Sequence, residues 1–533
     1  MSVSSVVHRV IHRIRPLLPS VAPGFKMATP HIETASGKTS PGQLLGQLLG
    51  PEIEAPPGAA ALVVSGMTAD SRKVAPGTVF AALPGSKADG AAFAADAVAR
   101  GAVAILAGND ALLPALPVPV LRAADPRRAL ALMAARLFGR QPGVAVAVTG
   151  TSGKTSVADF TRQILAACGR QAASLGTLGV VKPSGAVHGS LTTPDPVTLA
   201  ATLAELAGEG VTHVAFEASS HGLDQRRLDG VRLAAAAFTN LGRDHLDYHP
   251  TIEDYLAAKL RLFEVLLEPG QPAVVNTDGA RAADVASVAR RRGLRLITVG
   301  SAGDTLRLID VWLDGFAQRL AIEHAGRRHD ILLPLPGAYQ VENALTAAGL
   351  AIAAGEDGTA VIAALGVLTG VPGRLDLVGG VRGGLAVVDY AHKPEALAAA
   401  LAALRPFVGF RLICVVGCGG DRDKGKRPIM GGIAAAMADI VVVTDDNPRT
   451  ESPADIRAGI LAGIPAGSAH VREIGDRAEA IRSAVIEMKA GDVVLVAGKG
   501  HETGQIIGTT VAPFSDHDEI RKALDLIDAG EGR

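Results

Sequence analysis

An α/β chain in three domains is expected: a small α/β N-terminal domain, a central P-loop ATPase domain on a parallel sheet, and a C-terminal Rossmann-like α/β domain. Three observations predict it. Short continuous apolar runs alternate with helical stretches along the chain, the pattern of strands covered on both faces. Gly-rich or strongly polar turns follow several of those runs directly, where open α/β sheets bind ligands. Pro142-Gly143 and Pro372-Gly373 punctuate the chain, as turn dipeptides do at boundaries.

Composition fits this picture and removes several alternatives. The chain has 533 residues, 48% of them hydrophobic and 20% charged, enough for about three or four domains. Lys plus Arg is 52 against 53 Asp plus Glu, a formal net charge of -1, which argues against nucleic acid as a partner. Aromatics are only 3%, so stacking platforms for single strands are not expected. Mean hydropathy is +0.28. Ala supplies most of it, and charges or prolines interrupt each apolar run before about 18 residues, so no membrane insertion is expected. Three cysteines, Cys168, Cys414 and Cys418, give no disulfide framework and fit a reducing cytosol.

Residues 1–40 read as a disordered extension. Arg9, Arg13, Arg15 and Lys26 precede the first acid, Glu33, and these basic residues break any secretory apolar core. Met27 is an alternative start. Ser36-Gly37-Lys38-Thr39-Ser40 copies the end of a phosphate loop, but Ile32 stands where the first Gly belongs. The first domain, 41–141, pairs apolar runs at Val79–Leu83 and Val103–Leu106 with Ala-rich helices. The central domain, 142–371, opens on the strand Val144–Val148, followed by a Gly-rich turn and a helix from Val157 to Ala167. The C-terminal domain, 372–533, has strands at Ala386–Val388, Leu412–Val416, Ile440–Val443 and Val493–Val496. No short-period repeat is present.

The strongest chemical signal is Gly150-Thr151-Ser152-Gly153-Lys154-Thr155-Ser156, between strand and helix. Backbone amides of such a turn, with the helix N-terminus, face phosphate oxygens. Lys154 reaches the terminal phosphates and Thr155 offers a hydroxyl to Mg²⁺. Val148 stands where the strict pattern has its first Gly, so the loop is the shorter Gly-x-x-Gly-Lys-Thr form. Glu217, after the run Val214–Phe216, is a candidate oxygen ligand for Mg²⁺, or else a capping acid. Ser219-Ser220-His221 lacks the Gly-x-Ser-x-Gly context of a nucleophilic serine. Thr239–His249 is dense in polar groups, with His245 a candidate ligand and Asp244 its orienting partner; alone it reads as a solvated loop. Lys259 lies on a helix-spaced apolar pattern, where an exposed lysine is the ordinary case. Four clusters then follow strands and share one rim: Asp389–Pro394, Gly417–Pro428, Asp446–Arg449 and Gly498–Glu502. Cys414 and Cys418 have no second pair to make a zinc site.

In this order the motifs resemble the Mur ligase superfamily over about residues 60–520. Asp446-Asn447-Pro448-Arg449 is similar to the signature of its branch that adds meso-diaminopimelate; lysine-adding relatives usually lack that arginine. The resemblance implies an ATP-dependent ligase that joins meso-diaminopimelate to UDP-N-acetylmuramoyl-L-alanyl-D-glutamate through an acyl phosphate, a cytoplasmic step of peptidoglycan synthesis. It implies ATP and Mg²⁺ as cofactors; a monomer is expected. Ala69, Ser71, Ser86, Lys87 and Ala88 take the UDP positions. Thr192, Thr193, Ser219, Gln225 and Arg227 grip the muramoyl-dipeptide; Leu191 stands where some relatives carry Asn. Gly150 to Ser156 form the ATP loop, with Lys154 catalytic. Asn343, Arg374 and Asp389 lie on the adenine and ribose side. Lys259 matches the family's carbamylated lysine, an anionic oxygen ligand in place of an ammonium, and Thr155, Glu217 and His245 join it around the metal. Arg422, Asp446, Asn447, Pro448, Arg449, Gly498 and Glu502 form the diaminopimelate site. Ligands spread over three domains imply closure on binding. The competing readings are a lysine-adding or folate-extending ligase of the same superfamily and, from another class, an ATP-dependent binding or switch protein.

Overall fold

The apolar runs form three separate, mainly parallel sheets, and the polar turns lie at the strand ends. The computed structural model describes residues 42–85, 89–187, 191–245, 248–468 and 470–531. The extension 1–40 and the expected UDP contacts Ser86, Lys87 and Ala88 lie outside the described residues.

In the N-terminal part, strands β1 (Gly66–Thr68), β2 (Thr78–Ala82), β3 (Ala102–Gly108) and β4 (Val120–Ala123) pair in that order, all parallel. Helix α1 (Pro126–Phe138) starts with Asp125 capping the amide of Arg128 and with proline in its first turn. Both features suit a helix N-terminus. Its face carrying Leu130, Met133, Ala134 and Leu137 packs with Val79, Ala81, Ala104 and Leu106 of the sheet.

The second sheet is built around β5 (Val144–Thr149), with α2 (Lys154–Ala167) after the turn. Beyond these lie β6 (Ala172–Gly176), β7 (Gly179–Lys182), β8 (Gly185–Val187), α3 (Pro196–Gly208), β9 (His213–Glu217), α4 (Ser220–Asp224), β10 (Ala235–Phe238), α5 (Ile252–Arg261), β11 (Pro272–Asn276), α6 (Ala282–Arg291) and β12 (Arg295–Gly300). Strands β13 (Leu306–Asp314), β14 (Ala317–His324) and β15 (Arg327–Leu333) precede α7 (Ala338–Ala353). The strand order is β8-β7-β6-β9-β5-β10-β11-β12-β13-β14-β15. Strands β6, β9, β5, β10, β11, β12 and β13 run parallel. Strand β5 shows why its sequence is continuously apolar. Val146 and Val148 enter the core under α2 and α7, while Ala145 and Ala147 enter the core on the opposite face.

The meander β13–β15 departs from the strand–helix alternation expected up to residue 371. Its strands pair antiparallel with tight turns. Their outer faces are solvated, as antiparallel sheets allow.

In the third sheet, β16 (Asp376–Val381) pairs antiparallel with β17 (Gly384–Asp389). Helix α8 (Pro394–Leu404), β18 (Leu412–Val416), α9 (Lys426–Met437), β19 (Ile440–Val443), α10 (Pro453–Leu461), β20 (His470–Glu473), α11 (Arg477–Ile486) and β21 (Val493–Ala497) follow. The order is β16-β17-β21-β18-β19-β20, parallel from β17 onward. A hairpin, β22 (Gly504–Ile507) and β23 (Thr510–Pro513), leads to the terminal helix α12 (Asp516–Glu531). Ile520, Ala523 and Ile527 of that helix pack with Ile481, Ala484 and Val485 of α11.

Ion pairs tie the sheets together. Arg226 pairs with Asp125 at 2.9 Å, and the buried Asp229 is shared by Arg261 and Arg128. Lys393 of the third unit reaches Asp244 of the second at 2.5 Å. Among the described residues no helix is long and apolar enough to cross a membrane.

Candidate active site

The phosphate-type loop forms as its sequence requires. Gly153 has φ +86, and a Cβ there would stand 2.3 Å from Asn343 Oδ1. Only glycine serves that backbone and that close approach. Thr239 Oγ1 donates to the carbonyl of Ser152 at 2.7 Å, and Asn240 Oδ1 accepts from its amide at 3.1 Å. Lys154 opens α2, three residues earlier in the chain than the helix expected from Val157. Its ammonium donates to the carbonyls of Gly150 and Thr151, both at 2.9 Å. Burial lowers its pKa, and the charges of Glu217 and Asp244 work the other way.

Lys259 lies beside it. Its Nζ is 2.8 Å from the same Gly150 carbonyl and 4.2 Å from the centre of the Tyr255 ring, and the residue is 1% exposed. Burial and then the charge of Lys154 hold its pKa well below the ordinary lysine value. The surface-lysine alternative is therefore excluded by position. The helix α5 that carries it runs on into a wider turn of π type, Leu262–Leu266, a feature often found at functional sites.

Glu217 ends β9 and is 2% exposed. Its Oε1 accepts from the Thr177 amide at 2.7 Å and its Oε2 from the Thr177 hydroxyl at 3.3 Å. His245 has φ +54 and stands with Nε2 3.5 Å from Asp244 Oδ2. Burial pulls its pKa down to about 4, so the imidazole is neutral at pH 7. Thr155 is buried. Among the described residues no three His, Cys, Asp or Glu side chains gather into a cage for a metal ion. The donors nevertheless suit Mg²⁺, which is held through hydroxyl and one or two carboxylate oxygens together with substrate phosphates.

Next to Glu217 a second group of expected residues is joined by hydrogen bonds. Thr192 Oγ1 is 3.2 Å from Thr177 Oγ1, and Thr193 Oγ1 donates to the Glu217 carbonyl at 2.8 Å. Ser219 donates its amide to Thr193 Oγ1 and caps α4 through its own Oγ. Arg227 Nη1 donates to the Thr193 carbonyl at 2.5 Å, and Gln225 Oε1 accepts from Arg227 Nη2 at 2.7 Å. In the first sheet, Ala69 and Ser71 sit on the turn past β1, where Asp70 accepts from the amide of Arg72 at 3.1 Å.

The linker after Gly373 brings the third group to the loop. Arg374 Nη2 donates to Thr155 Oγ1 at 3.4 Å, and its guanidinium lies 4.8 Å from the centre of the Tyr390 ring. Arg374 Nε is buried with no hydrogen-bond partner among the described residues. Gln340 links Arg374 to Asn343, through the Arg374 carbonyl at 3.1 Å and the Asn343 amide at 3.1 Å. Asp389 accepts from the Leu375 amide at 2.7 Å, and burial raises its pKa to about 6.

Most of the remaining residues form a hydrogen-bonded cluster in the third unit. Asn447 Nδ2 donates to Glu502 Oε2 at 2.9 Å, and its Oδ1 accepts from the Ile506 amide at 3.0 Å. Gly498, φ +118, lets the Asp446 carboxylate approach; a Cβ there would be 2.6 Å from Asp446 Oδ2. Pro448 is buried in the same loop. Arg449 is fixed by backbone bonds to the hairpin at Ile506 and Gly508, and its Nη1 donates to the Gly420 carbonyl at 2.8 Å. Its Nε and Nη2 have no partner among the described residues. Arg422 stands apart on the exposed rim and, among the described residues, bonds only the Asp421 carbonyl, at 3.1 Å.

Several residues were missed from the sequence. Lys499 is 0% exposed, and its Nζ bridges Asn447 Oδ1 at 2.9 Å and Glu502 Oε2 at 3.1 Å. Lys393 pairs with Asp244, and Thr177 holds Glu217. Both lysines lie inside motifs already singled out, so proximity was the available signal; burial of a lysine was not.

Comparison with known proteins follows the same order of parts. Residues 63–137 match the description "Mur ligase family, catalytic domain", 148–351 match "Mur ligase middle domain" and 373–500 match "Mur ligase, glutamate ligase domain". The UDP-N-acetylmuramoyl-L-alanyl-D-glutamate--2,6-diaminopimelate ligase of Bradyrhizobium diazoefficiens is 57% identical over 484 residues, 90% of this chain and 99% of the relative. The ligase of the same name from Caulobacter vibrioides is 54% identical, over 88% of this chain and 96% of the relative. A solved structure of such a ligase superposes with TM-score 0.68 at 34% identity, covering 91% of this chain and 99% of that one.

Proposed function

The chain belongs to the Mur ligase family, and from that premise we propose that it joins meso-diaminopimelate to UDP-N-acetylmuramoyl-L-alanyl-D-glutamate at the expense of ATP. It is an ATP-dependent, peptide-bond-forming ligase of peptidoglycan synthesis. We place the step in the cytoplasm and read the enzyme as a monomer with domains 41–141, 142–371 and 372–533. The observation that carries the reading is the convergence on one phosphate loop of Arg374, on Thr155, and of Lys154 and Lys259, on the Gly150 carbonyl, with Lys393 of the third unit paired to Asp244 of the second.

The chemistry is carboxylate activation. The D-Glu γ-carboxylate attacks the γ-phosphorus, ADP leaves, and an acyl phosphate forms. The amine of diaminopimelate then attacks the acyl carbon, loses a proton and expels phosphate. Loop amides, Lys154 and the Arg374 guanidinium lie where negative charge builds up. Thr192, Thr193, Ser219, Gln225 and Arg227 orient the muramoyl-dipeptide, with Ala69, Ser71, Ser86, Lys87 and Ala88 toward its UDP end. Asn343 and Asp389 take the adenosine side. Arg422, Asp446, Asn447, Pro448, Arg449, Gly498 and Glu502 receive diaminopimelate. Thr155, Glu217, His245 and carbamylated Lys259 are the groups that would hold Mg²⁺, which when bound neutralises phosphate charge.

A dipeptide labelled with ¹⁸O in the γ-carboxylate tests the reaction. ADP should form only when dipeptide and diaminopimelate are both present, with one ¹⁸O appearing in phosphate. ADP release indifferent to the amino acid would favour the switch reading.

Burial and the charge of Lys154 lower the pKa of Lys259, which favours the neutral amine, the form that adds to CO₂ to give a carbamate and a proton. Lys259→Ala should lower kcat roughly 100-fold or more, the scale for losing one preorganised charged group. Small carboxylates such as acetate should restore part of it. A variant with wild-type kcat would remove Lys259 from the site, and loss without rescue would argue against a carboxylated side chain.

A further inference from the structure

Beneath the amino-acid pocket lies a fully buried ion pair that the ligation chemistry does not use. Arg477, at the start of α11, is 0% exposed in its side chain, as is Asp516 at the start of α12. The pair is bidentate, Nε to Oδ1 and Nη2 to Oδ2, both 2.7 Å. Two further bonds leave the pair: Nη1 donates to the Asp445 carbonyl at 3.3 Å and Nη2 to the Ala497 carbonyl at 3.0 Å. Asp445 and Ala497 immediately precede Asp446 and Gly498. One guanidinium thus pins the stems of both loops that wall the pocket, where Asp446 and Gly498 approach within contact distance. The carboxylates of Asp446 and Glu502 also lie within its field.

A buried ion pair is a poor device for stability, because well-packed apolar residues of similar volume usually do as well. An apolar pair cannot donate to two carbonyls. We infer that Arg477, held by Asp516, is a positioning residue for the amino-acid substrate: it fixes the two loop stems and so the spacing of Asp446, Asn447 and Arg449 from Gly498 and Glu502. This rests on the ligase reading of the pocket.

The test uses the full chain with two variants, the charge-free pair Arg477→Met with Asp516→Leu, and Arg477→Lys. The lysine can pair with Asp516 but cannot span both carbonyls. Thermal midpoints and KM for each of the three substrates are measured. The account expects folded variants whose KM for meso-diaminopimelate rises roughly tenfold or more, since small displacements of positioning groups are costly, with KM for ATP and for the UDP-dipeptide unchanged. A folded double variant with the wild-type diaminopimelate KM overturns the inference. A parallel rise of all three KM values assigns the pair to general stability instead. Should the double variant not fold, Arg477→Lys decides by the same criteria. Failure of the ligase reading would show separately, as wild-type protein that forms no tripeptide.

Discussion

Lys154→Ala will lower kcat roughly a thousandfold, the upper range for removing one preorganised charge at a transferring group. The reason lies in its surroundings. Lys154 is half-buried against its own loop, where a charge acts through a lower dielectric than in water. Its two carbonyl bonds aim the ammonium at the turn whose amides face the phosphates. Lys154→Arg should recover little, because Gly150 O is already shared with Lys259 and a planar guanidinium has no room to replace a compact ammonium. The fold should survive, because the ammonium bonds only carbonyls of its own loop, so the thermal midpoint should change little. Steady-state ADP release and a melting curve check both parts. A kcat near that of the wild type would remove Lys154 from the reaction.

Arg449→Asn will collapse the preference for meso-diaminopimelate over L-lysine. Arg449 is locked by the hairpin and by Gly420, while Nε and Nη2 keep their hydrogen-bonding capacity for a ligand carboxylate. A carboxylate accepts two parallel bonds from such a fork. Lysine has no distal carboxylate and would leave the guanidinium unmatched. Breaking a charge pair of this kind costs about 2–5 kcal/mol, most of it expected in kcat/KM for diaminopimelate. Lysine turnover should be unchanged or improved. Competition between the two amino acids measures the ratio, and an unaltered ratio would shift selectivity to Asn447, Glu502 or Asp446.

The sheets were largely legible because burial on both faces demands continuous apolar runs. Val144–Val148, Leu412–Val416 and Ile440–Val443 could hardly be anything else, and the Gly-Lys-Thr turn named its own chemistry. The meander β13–β15 was not legible, since its half-solvated strands carry charges such as Arg307, Asp310 and Arg319 among the apolar positions. Its hairpin turns also look like ordinary loops. Within the site, residue type located the clusters, while tertiary packing decided their partners. Lys259 reads as a surface lysine until its helix is packed against the phosphate loop. Lys499, Lys393 and Arg477 acquire meaning only from groups that are distant in sequence: Asn447, Asp244 and the paired stems at Asp445 and Ala497.

The decisive experiment is the mass of the product formed from Mg²⁺-ATP and UDP-N-acetylmuramoyl-L-alanyl-D-glutamate, with meso-diaminopimelate and L-lysine offered separately. The account expects a tripeptide with diaminopimelate and ADP release to match, and none with lysine. A lysine tripeptide would keep the ligase and overturn the Arg449 assignment; no product with either amino acid would contradict the reading as a whole.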